Sequence, residues 1–148
     1  MAVEFQHSPI SLSERISREE IYRRMFWIVD GTRRQNDWTQ FTRNWQYSDP
    51  SPENSLKRLV GKGRCALLRD WEDSKVPVFF DFGQSMIWSL APVRAGWRLI
   101  VGLTSRNSLV AAIQQGELPK MLRPKTEATN PPSTAISKHT RPSEAQRF

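Results

Sequence analysis

Glu4 and Gln6 stand two residues apart in the opening run Met1-Ala2-Val3-Glu4-Phe5-Gln6-His7-Ser8-Pro9. The run is apolar and β-prone up to Phe5, which favours a strand. Side chains alternate along a strand, so Glu4 and Gln6 share one face while Val3, Phe5 and His7 share the other. A carboxylate and an amide at the end of a strand can serve one site. The carboxylate suits a divalent metal, which prefers oxygen ligands. The amide can orient a water or meet a phosphate oxygen. The plainer reading is a terminal strand with a polar, solvent-facing side, because so short a pair recurs by chance.

The elements that must position these residues follow at once. Ser11 and Glu14 form a capping box, and Ser17 with Glu20 a second one, so a helix is expected over residues 12–24 with an apolar edge of Leu12, Ile16 and Tyr22. Met25 to Val29 is a continuous apolar run closed by Asp30-Gly31, the pattern of a buried parallel strand. Strand, helix, strand in this spacing predicts a right-handed β-α-β unit. Its ligand rim is then the carboxyl ends of the two strands, with His7, Ser8 and Asp30 on the rim and Gln6 just inside it.

The stretch from Val3 to Ile10, with Ser13-Glu14-Arg15, Arg18, Tyr22 and the run Phe26-Trp27-Ile28-Val29-Asp30-Gly31-Thr32-Arg33-Arg34, resembles the nuclease-like domain of the competence protein CoiA family. That family is a branch of the PD-(D/E)XK restriction-endonuclease-like superfamily in which the E-x-K motif reads E-x-Q. The resemblance covers roughly residues 2–45 and implies a Mg²⁺-dependent nuclease fold acting on DNA. It implies that Glu4 is the metal-binding carboxylate and that Gln6 stands where the superfamily has Lys. Arg18 is then the nearest group to supply positive charge to the transition state. In the superfamily a second metal-binding Asp lies on the strand before the E-x-K strand. Here the E-x-Q strand opens the chain, so the chain reads as an N-terminally truncated core, and Asp30 is the local substitute for that Asp. A carboxylate ending a strand before Gly is also a routine turn residue. The expected consequence is a weak or inactive nuclease. The alternatives are a non-catalytic nucleic-acid-binding protein, or an interaction subunit that self-associates or takes its missing strands from a partner.

Charge points the same way. The 148 residues carry a net +7, with 22 Lys and Arg against 15 Asp and Glu. A basic balance of this size suits a phosphate polyanion, which releases counterions on binding. Arg33 and Arg34, beside the rim, are the expected nucleic-acid contacts. A single cysteine, Cys65, excludes an internal disulfide and a cysteine-based zinc site, and its apolar neighbours suggest a small buried hydrophobe. No apolar stretch approaches a membrane span in length, so no membrane partner is expected and a reducing cytoplasm fits.

The rest of the chain has less distinctive chemistry. Trp38, Phe41 and Trp45 mark one face of a helix over residues 34–46, a core stripe first and a base-stacking surface second. Asp49-Pro50-Ser51-Pro52 breaks the chain, and a short helix is expected from Pro52 through Val60. Residues 64–68, 76–82, 86–90 and 97–103 read as strands of an antiparallel meander, followed by a helix over residues 106–115 that stops at Gly116. Asp70, Glu72, Asp73 and Asp81 read as solvated turn charges. The predicted class is mixed α/β (α+β). A partial restriction-endonuclease-like β-α-β core spans residues 1–49, a β-rich extension with a final helix residues 50–116, and a disordered basic tail residues 117–148.

Overall fold

The computed structural model describes residues 1–22, 24–52 and 54–117. The expected disordered tail lies, from residue 118 on, outside the described residues. The described chain is a mixed α+β fold built on one seven-stranded sheet, in the order β1-β2-β5-β6-β7-β4-β3. The strands are β1 (Ala2–Gln6), β2 (Met25–Asp30), β3 (Asp49–Ser51), β4 (Asn54–Val60), β5 (Val78–Asp81), β6 (Met86–Ala95) and β7 (Arg98–Ser105). The helices are α1 (Leu12–Ile21), α2 (Asp37–Gln46), α3 (Ala66–Trp71) and α4 (Arg106–Gln114).

The opening strand-helix-strand unit forms as its sequence dictates. Ser11 caps α1, its Oγ accepting from the Glu14 N–H at 3.1 Å. β1 and β2 pair in parallel with Glu4 opposite Trp27 and Gln6 opposite Val29. β2 then pairs in parallel with β5, and Asp30 stands opposite Asp81. From β5 the sheet continues antiparallel through β6, β7, β4 and β3. The meander therefore extends the first sheet edge to edge, and the sheet is continuous across the expected boundary near Asp49. Among the described residues β1 pairs with β2 alone and forms one edge of the sheet.

The two faces are covered unequally. Met25, Trp27, Val29, Val78, Phe80, Trp88, Leu90 and Val101 form the main core with Phe41 of α2 and Leu67, Leu68 and Trp71 of α3. The opposite face carries a small cluster of Phe26, Phe79 and Ile87 under Leu109 of α4. The Trp38-Phe41-Trp45 stripe belongs to the main core, with Phe41 fully buried and the two tryptophans packed around it. Cys65 is buried, as its neighbours suggest.

Three local expectations are corrected. Residues 54–60 form strand β4, not a helix. Asp49–Ser51 pairs antiparallel with them, with a register shift between Pro50 and Ser51, and proline is tolerated on an outermost strand. Residues 64–68 are not a strand, because α3 starts at Ala66 and places Leu67, Leu68 and Trp71 on one buried helical face. A four-residue apolar run carries no period of its own, and Ala and Leu favour helix. The third correction is α1. Of its expected apolar edge, Leu12 and Tyr22 are exposed and Ile16 is only half-buried, and the helix buries Arg15 and Glu19 instead.

Candidate functional site

The site is built where β1, β2 and β5 end. Strand alternation fixes which face each side chain joins. Ala2, Met25, Trp27 and Val29 belong to the main core, while Val3, Phe26 and Ile28 belong to the opposite cluster. Glu4 and Gln6 therefore lie on the face of α1, and Asp30 lies on the face of α4. Glu4 and Asp30 are not brought together.

Glu4 is held by Arg18 of α1, whose Nη1 donates to Oε2 at 3.0 Å, and Arg18 also donates to Glu14 at 2.6 Å. The Glu14 hydrogen bond leads in holding the Arg18 pKa above its ordinary value. A metal on Glu4 would have to displace this guanidinium. Gln6 turns its amide onto the Ser8 carbonyl. Asp30 accepts from the Thr32 hydroxyl at 2.6 Å and the Thr32 N–H at 2.8 Å, and meets His7 Nδ1 at 3.4 Å. The Thr32 hydroxyl leads in lowering the Asp30 pKa. Among the described residues no group of three or more His, Cys, Asp or Glu side chains is placed to hold a metal ion. The residues present do not fit a magnesium shared by Glu4 and Asp30.

Asp81 is a rim residue that the sequence disguised as a turn charge. It sits beside Asp30 and is clamped by Arg106 at the start of α4, with two contacts of 2.7 and 2.6 Å, and by the Gly83 N–H at 2.8 Å. This two-pronged geometry is the strong form of a carboxylate pair. The Arg106 hydrogen bonds lead in lowering the Asp81 pKa. A depressed folded pKa gives stability that is present above the unfolded carboxylate value and is lost as pH falls through the folded one. Asp81→Asn is therefore expected to unfold at lower denaturant than the parent at pH 7, with the gap closing below about pH 4. A gap of the same size at pH 7 and pH 3 would show that the clamp stabilises by shape alone.

On the α1 face the structure opens a groove of about 710 Å³. Arg15, Arg33, Arg34 and Arg69 line it with Gln6, and Asp70 and Asp73 are the acidic residues on its wall. The four arginines arrive from three places: α1, the loop after β2, and α3. Arg34 is spoken for, because its Nε donates to Asp37 and its Nη1 to Asp70, each at 2.8 Å. Burial pulls the Arg34 pKa down, and the two carboxylates together more than offset it. Arg15 is only 2% exposed, donates to the Asp70 carbonyl at 2.8 Å and stacks over Trp71. Arg33 and Arg69 are exposed, and among the described residues neither has a carboxylate partner. The other acidic residues read as solvated are also engaged: Glu72 by Lys62 at 2.9 Å and Asp73 by Arg94 at 2.6 Å.

The chain has no significant match among protein-family models, curated proteins or solved structures. The function of the groove must be argued from its own chemistry. Arg33 and Arg34 were legible as a basic pair beside the rim. Arg15 and Arg69 were not, since one sits on a helix whose buried side was misjudged and the other follows a segment, residues 64–68, read as strand but belonging mostly to α3. No helix of the described residues is long and apolar enough to cross a membrane.

Proposed function

We propose that this protein is a non-catalytic nucleic-acid-binding module that grips a phosphate backbone in the groove at the carboxyl ends of β1 and β2. The observation that carries the reading is the convergence of Arg15, Arg33, Arg34 and Arg69 on one groove. Arg33 and Arg69 supply the free positive charge. Arg34 and Arg15, fixed by Asp37, Asp70 and Trp71, hold the wall on which those charges stand. Guanidinium groups meet phosphate through paired N–H donors, so a pre-set wall favours binding. The net charge of +7 adds long-range attraction. The nuclease activity implied by the resemblance to CoiA needs two carboxylates on one metal. Glu4 under Arg18, and Asp30 on the other face, weigh against cleavage.

Titration of a labelled DNA oligonucleotide at several salt concentrations tests the reading. Binding is expected without sequence preference and with a steep salt dependence. Arg33→Ala should lower the slope of log affinity against log salt by about 1 and leave the unfolding midpoint unchanged, as for a single phosphate contact at an exposed residue. Binding that ignores salt would remove the groove from the argument. Plasmid cleavage with magnesium that Glu4→Ala abolishes would restore the nuclease reading.

One observation favours a second reading, an interaction subunit. Among the described residues β1 has one unpaired edge, with Phe5, 63% exposed, on its α4 side and α1 on its other side turning Leu12 and Ile21 outward. A strand from a partner could pair there and cover this apolar surface. The oligomeric state by light scattering separates this reading from the first, since phosphate binding needs no partner strand.

A further inference from the structure

Two aromatic side chains stand out in water on the α2 side of the sheet. Tyr47, at the end of α2, is 82% exposed, and Trp97, in the β6–β7 turn, is 72% exposed. They line one groove of about 480 Å³. The position of Trp97 is set from behind. Gly96 at φ +63° makes the turn, the Arg98 guanidinium lies 5.5 Å from the indole, and the indole rests on Gly61, where a Cβ would come within 3.2 Å of it. Arg98 is itself anchored on Asp49. The indole is thus supported on one side and open on the other. Ordering it costs little on binding, because its support is already in place.

Basic charge leads away from this pair. Asn44 lines the aromatic groove and also an adjoining cavity of about 580 Å³ whose other walls are Gln40, Arg43, Arg64 and Cys65. That wall has two exposed arginines and no acidic residue. Asn44 donates to the Gly61 and Lys62 carbonyls at 3.1 and 2.8 Å, which fixes the loop between the two cavities. Gly63 of that loop lines the aromatic groove, and its carbonyl accepts from Arg69 at 3.4 Å. Arg69 belongs to the phosphate groove. The aromatic groove therefore adjoins both basic surfaces: it shares Asn44 with the Arg43–Arg64 cavity, and its Gly63 accepts from Arg69 of the arginine groove, so the three form one track with the aromatic pair between the arginines.

We infer that this track takes a single strand of nucleic acid, its phosphates on the arginines and its bases stacked on Tyr47 and Trp97. The inference rests on the phosphate-binding reading and names its ligand class. Exposed aromatic rings beside free arginines suit unpaired bases, because every base offers a π face and each stack contributes about 1–3 kcal/mol. In a duplex those faces are already stacked on one another. The charge of the Arg43–Arg64 wall complements phosphate and not another basic copy of this chain.

Fluorescence anisotropy with three probes of equal length tests it: an oligothymidylate, a duplex, and an abasic oligonucleotide that keeps the phosphates and lacks bases. The wild type should bind the oligothymidylate at least about tenfold more tightly than the abasic strand, as for one stacked base. The Tyr47→Ala/Trp97→Ala double variant should lose that preference and keep its affinity for the abasic strand, while Trp97→Phe keeps most of the preference. Equal affinity of the wild type for thymidylate and abasic strands overturns the inference and leaves phosphate binding standing. Failure to bind any probe overturns both. A double variant that turns a dimer into a monomer without changing thymidylate affinity assigns the aromatic groove to self-association and overturns the inference.

Discussion

Glu19→Ala is expected to destabilise the protein by about 3–5 kcal/mol, the cost of breaking a buried charged group away from its partners. Glu19 is buried on the inner side of α1. One carboxylate oxygen accepts from Trp27 Nε1 at 3.1 Å and from the Ser74 hydroxyl at 2.8 Å, and the other from the Lys75 N–H at 3.0 Å. Arg15, one turn earlier and equally buried, lies 3.8 Å from it. Removing the carboxylate leaves the Trp27 and Lys75 N–H groups without their acceptor and a guanidinium without its counter-charge, while the Ser74 hydroxyl keeps the Val76 carbonyl at 2.9 Å. Each orphaned polar group costs about 1–3 kcal/mol on its own.

The size of the effect follows from how α1 is attached. Its apolar residues Leu12 and Ile21 face solvent and Ile16 is only half-buried, so hydrophobic contact holds it down weakly. Arg15 on Trp71 and Glu19 on Trp27, Ser74 and Lys75 are the contacts that fix it over β2 and the end of α3. Since Arg15 also lines the arginine groove, loosening α1 should weaken the proposed DNA binding along with stability. Urea unfolding of Glu19→Ala, Glu19→Gln and Arg15→Met/Glu19→Leu checks the argument. The apolar pair should be less damaging than Glu19→Ala, because it leaves no unpaired charge. A loss below about 1 kcal/mol in Glu19→Ala would mean that water reaches the site and replaces the carboxylate.

This arrangement also explains which parts of the molecule could be read from its sequence. The Ser11 cap, the apolar run of β2 and the helix stop at Gly116 are local signals, and each operates as written. Strands β5, β6 and β7 were legible because Gly83 and Gly96 punctuate them. Residues 54–60 and 64–68 exchanged roles because neither run is long enough to carry a period, and only their neighbours β7 and α2 decide between strand and helix. On α1 the charge pattern hid the truth, since five charged residues (Glu14, Arg15, Arg18, Glu19 and Glu20) in a ten-residue helix ordinarily mark a solvated one. The face shared by Glu4 and Gln6 followed from alternation within one strand. The opposite placement of Asp30 depends on the register between two strands, which no short motif encodes. The convergence of Arg15, Arg33 and Arg69 is a tertiary fact and left no mark in local sequence.

Gly31→Ala should cost about 1–3 kcal/mol, the range for forcing volume into a packed core, and should lower DNA affinity as well. Gly31 continues β2 past Asp30 and donates its N–H to the Asp81 carbonyl at 2.8 Å. A Cβ there would stand 2.5 Å from both Cδ1 and Cε1 of Phe82, closer than carbon atoms approach. Phe82 has little room to yield, since its ring is packed against Trp38 at 4.9 Å, Phe41 at 5.2 Å and Trp88 at 5.7 Å between centroids. The backbone at Gly31 must then move instead. Arg33 and Arg34 follow two and three residues later, so that movement is passed to the arginine groove. Phe82→Leu supplies the control. The smaller side chain removes the collision, so the double variant should be more stable than the sum of the two single losses predicts, a coupling of neighbours in contact. It should also recover DNA affinity relative to Gly31→Ala. Strict additivity of the two changes would place the collision elsewhere and detach the Gly31 turn from the groove.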